Sequence, residues 1–439
     1  MPTTDTIIAL ASGQGRAAIA VLRISGPGTR DLVTALAGAL PAPRRATLRR
    51  LTDPATGSLL DRGLVLWFPG PASFTGEDMA ELHIHGGRAV SQNVVNASLT
   101  RESVRLAEPG EFASRAFENG KLDLSAVEGL ADLINAETAA QANQALTQAE
   151  GSLRDRATGW REHILRAQAL AEASIDFSDE EDVADDAMVQ AKQEASALLQ
   201  ELTAELQKRS GERLREGFRI VIAGPPNAGK SSLLNAIAAR DVAIVSAEAG
   251  TTRDLVEVHL DLDGLPVILT DTAGLREGGG EIESEGMRRA LSRASDADLV
   301  LWLIDATDPQ TDPPADLGKL APFPVLNKID QVADAGAVEV LPISAKTGAG
   351  IGSLLDEIKR RAADGLEEGG EPPAITRARH RTEIEAAASA LQRFLNEEGE
   401  HELAAEELRI AARHIGRLTG HIDVEEILGA IFGEFCIGK

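Results

Sequence analysis

Residues 218–232 read FRIVIAGPPNAGKSS: an apolar strand, a glycine loop and the opening of a helix within fifteen positions. No other stretch restricts the fold as tightly. Gly224 to Ser231 carries the spacing G-x-x-x-x-G-K-[ST] of a phosphate loop. The spacing follows from the chemistry. Glycine lets successive backbone N–H groups wrap a phosphate, Lys230 neutralises β/γ oxygens, and Ser231 offers a hydroxyl to Mg²⁺. The helix that follows, SSLLNAIAA, turns its N-terminal dipole toward the anion.

Around this unit the text changes character twice. Up to about residue 118, short β-like runs (TIIAL, AAIAVLRIS, GLVLWF) alternate with Gly and Pro turns, which predicts a compact α/β domain. From Ser125 to Phe177 the composition is Ala, Leu, Gln and Glu without proline, as in long helices. The acidic run SDEEDVADD breaks this stretch, and helical text resumes to about Arg215. Strand and helix patterns alternate from Phe218 to about residue 362, DGLEEGGEPP reads as a linker, and the text is helical again from Arg377. Two helical blocks flanking one α/β unit predict an insertion, since the C-terminal block alone has little core. The expected class is α/β plus α, with boundaries at 1–118, 119–215, 216–372 and 373–439.

After the phosphate loop come TTRD (Thr251 to Asp254), DTAG (Asp271 to Gly274), NKID (Asn327 to Asp330) and SAK (Ser344 to Lys346). In this order they resemble the guanine-nucleotide motifs of translation-factor-type GTPases. The roles agree: a threonine of TTRD completes the Mg²⁺ shell, Asp271 reaches it through water, and the Gly274 N–H senses a γ-phosphate. Asp330 presents two acceptor oxygens to the N1–H and amino donors of guanine. Adenine lacks that pair and would leave a buried carboxylate unpaired, a mismatch worth about 10⁴ or more in discrimination. The expected nucleotide is therefore GTP. Hydrolysis also needs a group that orients water. The Ras-like glutamine after the DxxG glycine is replaced by Leu275, so an acidic residue of REGGGEIESEG is expected to serve instead. Asn227 is placed to offer an oxygen to a monovalent cation.

Charge limits the partners. With 69 acidic and 44 basic residues the formal net charge is -25, which repels polyanions at long range. A nucleic-acid substrate would need a local basic patch or a helper protein. RRATLRR (Arg44 to Arg50) and RARHR (Arg377 to Arg381) are the available patches, although a solvated face or helix end is the simpler reading of each. Cys436 is the one cysteine, which excludes an intrachain disulfide or a cysteine-cluster metal site and fits a reducing compartment. The opening MPTTDTIIALASGQGR lacks a basic segment and long apolar run, and no stretch approaches a membrane span. A cytoplasmic protein is expected. His83 and His85 in HIHGG are expected to alternate along a strand, at most one facing any given pocket.

Beyond the nucleotide motifs, the chain resembles the tRNA-modification GTPase family MnmE/TrmE along nearly its whole length. The stretches that carry the likeness are DTIIALASGQGRAAIAVLRISG, PASFTGEDMAELHIHGG, PGEFASRAFENGKLDL, AGTTRD, DTAGLRE and the terminal FCIGK. ASGQGRAAIA departs from the Thr-Pro-containing segment more usual there. The resemblance implies an N-terminal dimerising domain that binds 5-formyl- or 5,10-methylene-tetrahydrofolate, a discontinuous helical domain, and an inserted Ras-like GTPase domain. It places folate contacts on Arg23, Glu81, Lys121 and Lys439. Read as chemistry, a cation suits the folate carboxylates and a carboxylate suits the pterin donor edge.

The same resemblance assigns nucleotide contacts to Asn227, Ala228, Gly229, Lys230, Ser231, Ser232, Ser246, Thr251, Thr252, Asp271, Thr272, Ala273 and Gly274. It adds Asn327, Lys328, Asp330, Ser344, Ala345 and Lys346 around the base. Mg²⁺ falls to Ser231 and Thr252, and K⁺ to Asn227, Ser246, Glu248 and Thr251, with K⁺-dependent pairing of two GTPase domains. Glu283 takes the place of the water-orienting residue. The implied output is an aminomethyl or carboxymethylaminomethyl group on C5 of the tRNA wobble uridine, made by a homodimer together with the FAD-dependent partner MnmG/GidA as a heterotetramer. A ribosome-assembly GTPase and a folate-dependent transferase with an accessory nucleotide domain are the competing readings. FCIGK and the N-terminal stretches favour the tRNA-modifying reading over the ribosome-assembly one, and the switch motifs would stand idle in the transferase reading.

Cys436 fits three roles. A prenylation box is disfavoured by Gly438 and Lys439 at its end. A small buried apolar residue and a thiolate favoured by nearby Lys439 both remain. By resemblance the tail folds back toward the folate pocket, with Cys436 beside the one-carbon unit.

Overall fold

The computed structural model describes the chain except residues 1–4, 14, 177–180, 245–256, 272–295, 309–311, 333–339, 367–372, 398–400, 421–430, 433–434, 436–437 and 439; of 181–184 it describes the backbone. The chain divides into two compact units: Met1–Ala131 with Ala149–Arg161 and Arg413–Lys439, and Asp132–Gln148 with Glu162–Ala412.

The first unit is built on a six-stranded sheet in the order β3-β4-β5-β2-β1-β6. Its strands are β1 (Thr6–Leu10), β2 (Ile19–Ser25), β3 (Thr47–Thr52), β4 (Leu59–Phe68), β5 (Met79–His85) and β6 (Val104–Leu106). The β-branched and aliphatic runs read from sequence supply β1, β2 and β4. Alternation sends Leu22, Ile24, Leu51, Val65, Leu82 and Ile84 to one face, where they pack with Leu32 and Leu36 of helix Thr29–Ala37 and Val94 of helix Arg88–Leu99. On the opposite face, Ile7 and Ala9 meet Phe112, with Phe74 packed alongside. Arg23, Glu81 and Leu66 stand in register across β2, β5 and β4.

The second unit holds a six-stranded sheet in the order β12-β11-β10-β7-β9-β8. It consists of β7 (Phe218–Ala223), β8 (Glu257–Leu262), β9 (Leu265–Asp271), β10 (Leu299–Asp305), β11 (Phe323–Asn327) and β12 (Leu341–Pro342). All neighbours are parallel except β8 and β9. Near-continuous apolar strands such as FRIVIA and LVLWLID are what a parallel sheet covered on both faces requires. The core joins Ile220, Ile222, Leu269, Leu301 and Val325 to Leu233 and Ile237 of helix Lys230–Ala238 and Leu354 and Ile358 of helix Ile351–Leu366.

The helical text resolves into more pieces than its composition suggests. Leu124–Asn135, Ala139–Ala149 and Ser152–Asp176 replace one long helix, and Gly151 at φ 104 marks the last break. The acidic run is not purely a breaker, because helix Glu181–Gln207 begins inside it; acidic residues favour a helix's first turn. In the second unit, Asp132 accepts from Arg215 at 2.9 Å and from Arg377 at 2.6 Å. One carboxylate thus holds the chain on both sides of the α/β segment. RARHR is no basic surface: Arg377 and His380 are buried, and Arg381 pairs with Glu212 at 2.6 Å. RRATLRR forms edge strand β3 and the turn before it.

Candidate functional site

The loop Gly224–Gly229 leaves β7 at the middle of its sheet, where β9 lies to one side and β10 to the other. Crevices at the carboxyl ends of such strands are where open α/β sheets take ligands. Gly224, Asn227 and Gly229 all have positive φ, at 157°, 61° and 96°. Two of these glycines are obligatory. A Cβ on Gly224 would lie 2.6 Å from the Leu303 carbonyl oxygen, and one on Gly229 would lie 2.4 Å from Asn327 Nδ2. Lys230 Nζ donates to the carbonyl oxygens of Gly224 and Pro225 at 2.9 and 3.0 Å, so its ammonium sits over the loop. Ser231 Oγ donates to Asp271 Oδ2 at 2.6 Å, with Asp271 buried. A hydroxyl and a carboxylate this close form an oxygen pair suited to a hard cation.

Base-side residues converge on the same strand ends. Asn327, buried at the end of β11, donates from Nδ2 to the Ala228 carbonyl at 2.8 Å and accepts the Ala345 N–H at 3.0 Å. One side chain therefore ties the phosphate loop to the SAK loop. Asp330 Oδ1 accepts from Ser344 Oγ at 2.6 Å, which fixes the carboxylate plane. Asp330 is exposed rather than buried. Discrimination between bases then depends on the base itself covering it. Lys328, at φ 66, donates to Asp305 Oδ2 at 2.5 Å. Burial pushes the Asp305 carboxyl up, but hydrogen bonds from Lys328 and Thr307 outweigh it and hold the group below its ordinary range. Asp305 escaped the sequence reading because no motif marks it.

In the first unit a cavity of about 550 Å³ opens on the sheet face that carries Arg23 and Glu81. Phe68, Phe74 and Met79 form apolar wall, and Arg44 lies at the rim. Arg23 donates to Glu81 Oε1 from Nε and Nη2 at 3.3 and 3.1 Å, and its guanidinium lies 5.6 and 5.7 Å from the Phe74 and Phe112 ring centres. His83 Nε2 is 3.3 Å from Glu81 Oε2. The expected alternation of the two histidines does not hold. Two residues apart on β5, they share the face of Glu81; His85 is drawn away by Asp61, 2.8 Å from its Nδ1. Lys121 does not line the cavity. It packs beside Gly76, where an added Cβ would come within 3.4 Å of Lys121 Cγ.

The loop bearing Phe74 is anchored by a buried charge cluster. Arg115, almost fully buried, donates to Asp5 at 3.0 Å, Glu77 at 3.1 Å and Glu111 at 2.9 Å. Ser25 Oγ donates to Glu77 at 2.8 Å, and Asn119 donates to the Thr75 carbonyl at 2.8 Å. Gly438 of the terminal motif also belongs to this unit. At φ 106 it lies so close to β1 that a Cβ would stand 2.2 Å from the Leu10 carbonyl oxygen.

Two family models match the chain: "GTP-binding protein TrmE N-terminus" over residues 6–121 and "MnmE helical domain" over residues 124–436. A protein of Beijerinckia indica named tRNA modification GTPase MnmE is 55% identical over 100% of this chain and 96% of its own length. Its namesakes in Rhodopseudomonas palustris and Paramagnetospirillum magneticum are 52% and 53% identical, over 100% and 99% of this chain and 100% of their own lengths. The chain belongs to the MnmE/TrmE family. Of the residues that the family resemblance marks, the structure brings Asn227 through Ser232, Asp271, Asn327, Lys328, Asp330 and Ser344 through Lys346 to one end of the second sheet. Arg23 and Glu81 meet on the first. Ser246, Glu248, Thr251, Thr252, Thr272, Ala273, Gly274, Glu283, Cys436 and Lys439 lie outside the described residues. Among the described residues no helix is long and apolar enough to cross a membrane.

Proposed function

We propose that this chain is the GTP-hydrolysing subunit of a tRNA-modifying complex that builds an aminomethyl or carboxymethylaminomethyl group on C5 of the wobble uridine. The observation that carries the nucleotide half is the strand-end cluster: a loop whose glycines admit no side chain, Lys230 above it, the Ser231–Asp271 pair, and Asp330 held by Ser344. Full-length likeness to proteins named tRNA modification GTPase supports the tRNA half.

In this reading Lys230 exchanges its loop carbonyls for β/γ-phosphate oxygens, and the backbone N–H groups of Asn227 through Ser232 wrap them. Ser231, with Thr252, holds Mg²⁺, and Asp271 steadies that hydroxyl. Bound Mg²⁺ neutralises the phosphate oxygens. Thr272 to Gly274 sense the γ-phosphate, and Glu283 orients the attacking water. Asn227, Ser246, Glu248 and Thr251 would hold K⁺, which would supply positive charge where an arginine finger otherwise does, and two GTPase domains would pair in its presence. Asn327, Lys328, Asp330 and Ser344 through Lys346 frame guanine.

The cavity on the N-terminal sheet suits a reduced folate: aromatic wall, a guanidinium and a carboxylate converge in a space of that order of size. Arg23 and Glu81 would hold it from the cavity wall, Lys121 and Lys439 are the contacts that only the family resemblance adds, Lys121 from outside that wall, and the folate would supply a one-carbon unit when bound. Cys436 acts beside that unit. The working assembly is a cytoplasmic homodimer with an FAD-dependent MnmG/GidA partner, which also relieves the repulsion between tRNA and a chain at -25. Its domains are 1–118, 119–215, 216–372 and 373–439. Mass analysis of wobble nucleosides from cells lacking the protein tests the proposal. Loss of the C5 substituent, restored by the wild-type chain and not by Lys230→Ala, is expected; unchanged nucleosides would overturn it.

A further inference from the structure

We infer that Arg44 reads the acidic end of the ligand in the N-terminal cavity, while Arg23 aligns Glu81 and supports the ring end. The inference rests on the folate reading above and assigns an orientation to that ligand.

Charge is the first argument. Among the described residues three charged side chains line the cavity: Arg23, Arg44 and Glu81. Arg23 spends two donors on Glu81 Oε1 and lies against two phenylalanine rings. Its charge is already answered, and the second carboxylate oxygen is fixed by His83. Arg44 has no carboxylate partner among the described residues, and of its guanidinium only Nη2 is engaged, by the Ala72 carbonyl. The described lining therefore carries one uncompensated positive charge, on the exposed Arg44. An anion completes it.

Backbone shape is the second argument. Arg44 has φ 59, left-handed for a residue with a Cβ. Such a conformation is strained for arginine, whereas glycine would adopt it freely. Here it is held by the Arg44 N–H donating to the Trp67 carbonyl at 2.8 Å, and it lays the guanidinium 5.7 Å from the centre of the Phe68 ring. Phe68 opposes Met79 across β4 and β5, two residues along from Glu81. Along the cavity wall the order is guanidinium, aromatic ring, carboxylate. A flat heterocycle with amino donors, an apolar middle and a carboxylate tail matches that order end to end.

The test is calorimetric titration of the full chain with 5-formyltetrahydrofolate and with 6-methyltetrahydropterin, which lacks the aminobenzoylglutamate tail. Arg44→Gln is expected to weaken folate binding by roughly tenfold to a hundredfold, as for a lost charge-assisted hydrogen bond, and to leave tetrahydropterin binding as in the wild type. Arg44→Lys should recover only part of the loss, because a planar fork stacked on a ring is not replaced by an ammonium. Arg23→Gln should weaken both ligands. Equal effects of Arg44→Gln on the two ligands, or none on either, would overturn the assignment while leaving the folate reading intact. A wild-type chain that binds neither ligand would remove the folate reading and the role of Arg44 with it.

Discussion

At the ends of β7, β9 and β11 most of the chemistry belongs to the backbone. The loop Gly224–Gly229 is shaped by positive φ angles and by approaches too close for a Cβ, and the Asn327 side chain at the end of β11 ties it, through Ala228, to Ala345. On the open face of the N-terminal sheet the reverse holds. Arg23, Glu81, Phe68 and Phe74 build the cavity from side chains, Arg23 and Glu81 being brought together from strands 58 residues apart in sequence. A backbone-built site needs a fixed local spacing, whereas a side-chain-built site needs only that a sheet closes in register. Changes should therefore act differently on the two. Chemistry at the first depends on a few atoms, and integrity of the second depends on the charges underneath it.

The largest expected effect is at Asp330. Asp330→Asn replaces one acceptor oxygen with a donor while the Ser344 hydroxyl still holds the remaining oxygen. Guanine then meets a donor with a donor, and a purine with a 2-oxo group meets its complement. GTP affinity should fall roughly a thousandfold or more, with a gain for XTP, read by competition against a fluorescent nucleotide. Retained GTP affinity would show that the base is read elsewhere and would break the contrast drawn above.

That contrast also explains what could be read from sequence. The phosphate loop, Asp271, NKID and SAK sit at strand ends because strand, loop and helix are contiguous in the text, and the second sheet follows from its apolar runs. Helix breaks were harder: Gly151 ends one helix, yet Gly159 lies inside the next, and composition does not distinguish them. RARHR looked like a surface and is internal, because its partners Asp132 and Glu212 lie far away in sequence. Arg44 and the Arg115 cluster carry no motif, and the charge that Arg115 satisfies comes from three separate segments. Gly438 is fixed by a contact with Leu10, almost the full chain length away.

Beneath the N-terminal cavity, Arg115→Leu should cost about 3 kcal/mol or more, because it removes the common cation of Asp5, Glu77 and Glu111 in a buried setting. Urea denaturation of the full chain measures this, with nucleotide affinity retained. The same cluster sets an acid limit. Burial pushes the Glu111 carboxyl up, but bonds from Arg105, the Glu108 N–H and Arg115 outweigh it; Asp5 is likewise held low against its burial. Each folded value lies below the ordinary 4.5 or 3.8, so the stabilisation is complete above those values and is lost as pH falls through the lowered ones. The wild type should lose stability below about pH 4 more steeply than Arg115→Leu. Parallel acid curves would show that the cluster is not what the acid titrates.

The smallest effect is expected at a carboxylate held far below its ordinary range. Glu357, on helix Ile351–Leu366 of the nucleotide-binding sheet's own layer, accepts from Arg360 and Arg361, and these hydrogen bonds bring it to about 2. Unlike Arg115, Arg360 has 58% of its side chain exposed. Water and salt screen such a pair, so it contributes little to stability despite the large shift. Arg361 also keeps a second anchor, its guanidinium 4.4 Å from the Phe323 ring centre. Glu357→Gln should lower the melting temperature only slightly at low salt, with the difference shrinking further at high salt. A loss as large as that of Arg115→Leu, or one indifferent to salt, would mean that exposure does not separate the two charge clusters. Burial, rather than the depth of the carboxylate's shift, is what makes the cluster under the N-terminal cavity the one the fold depends on.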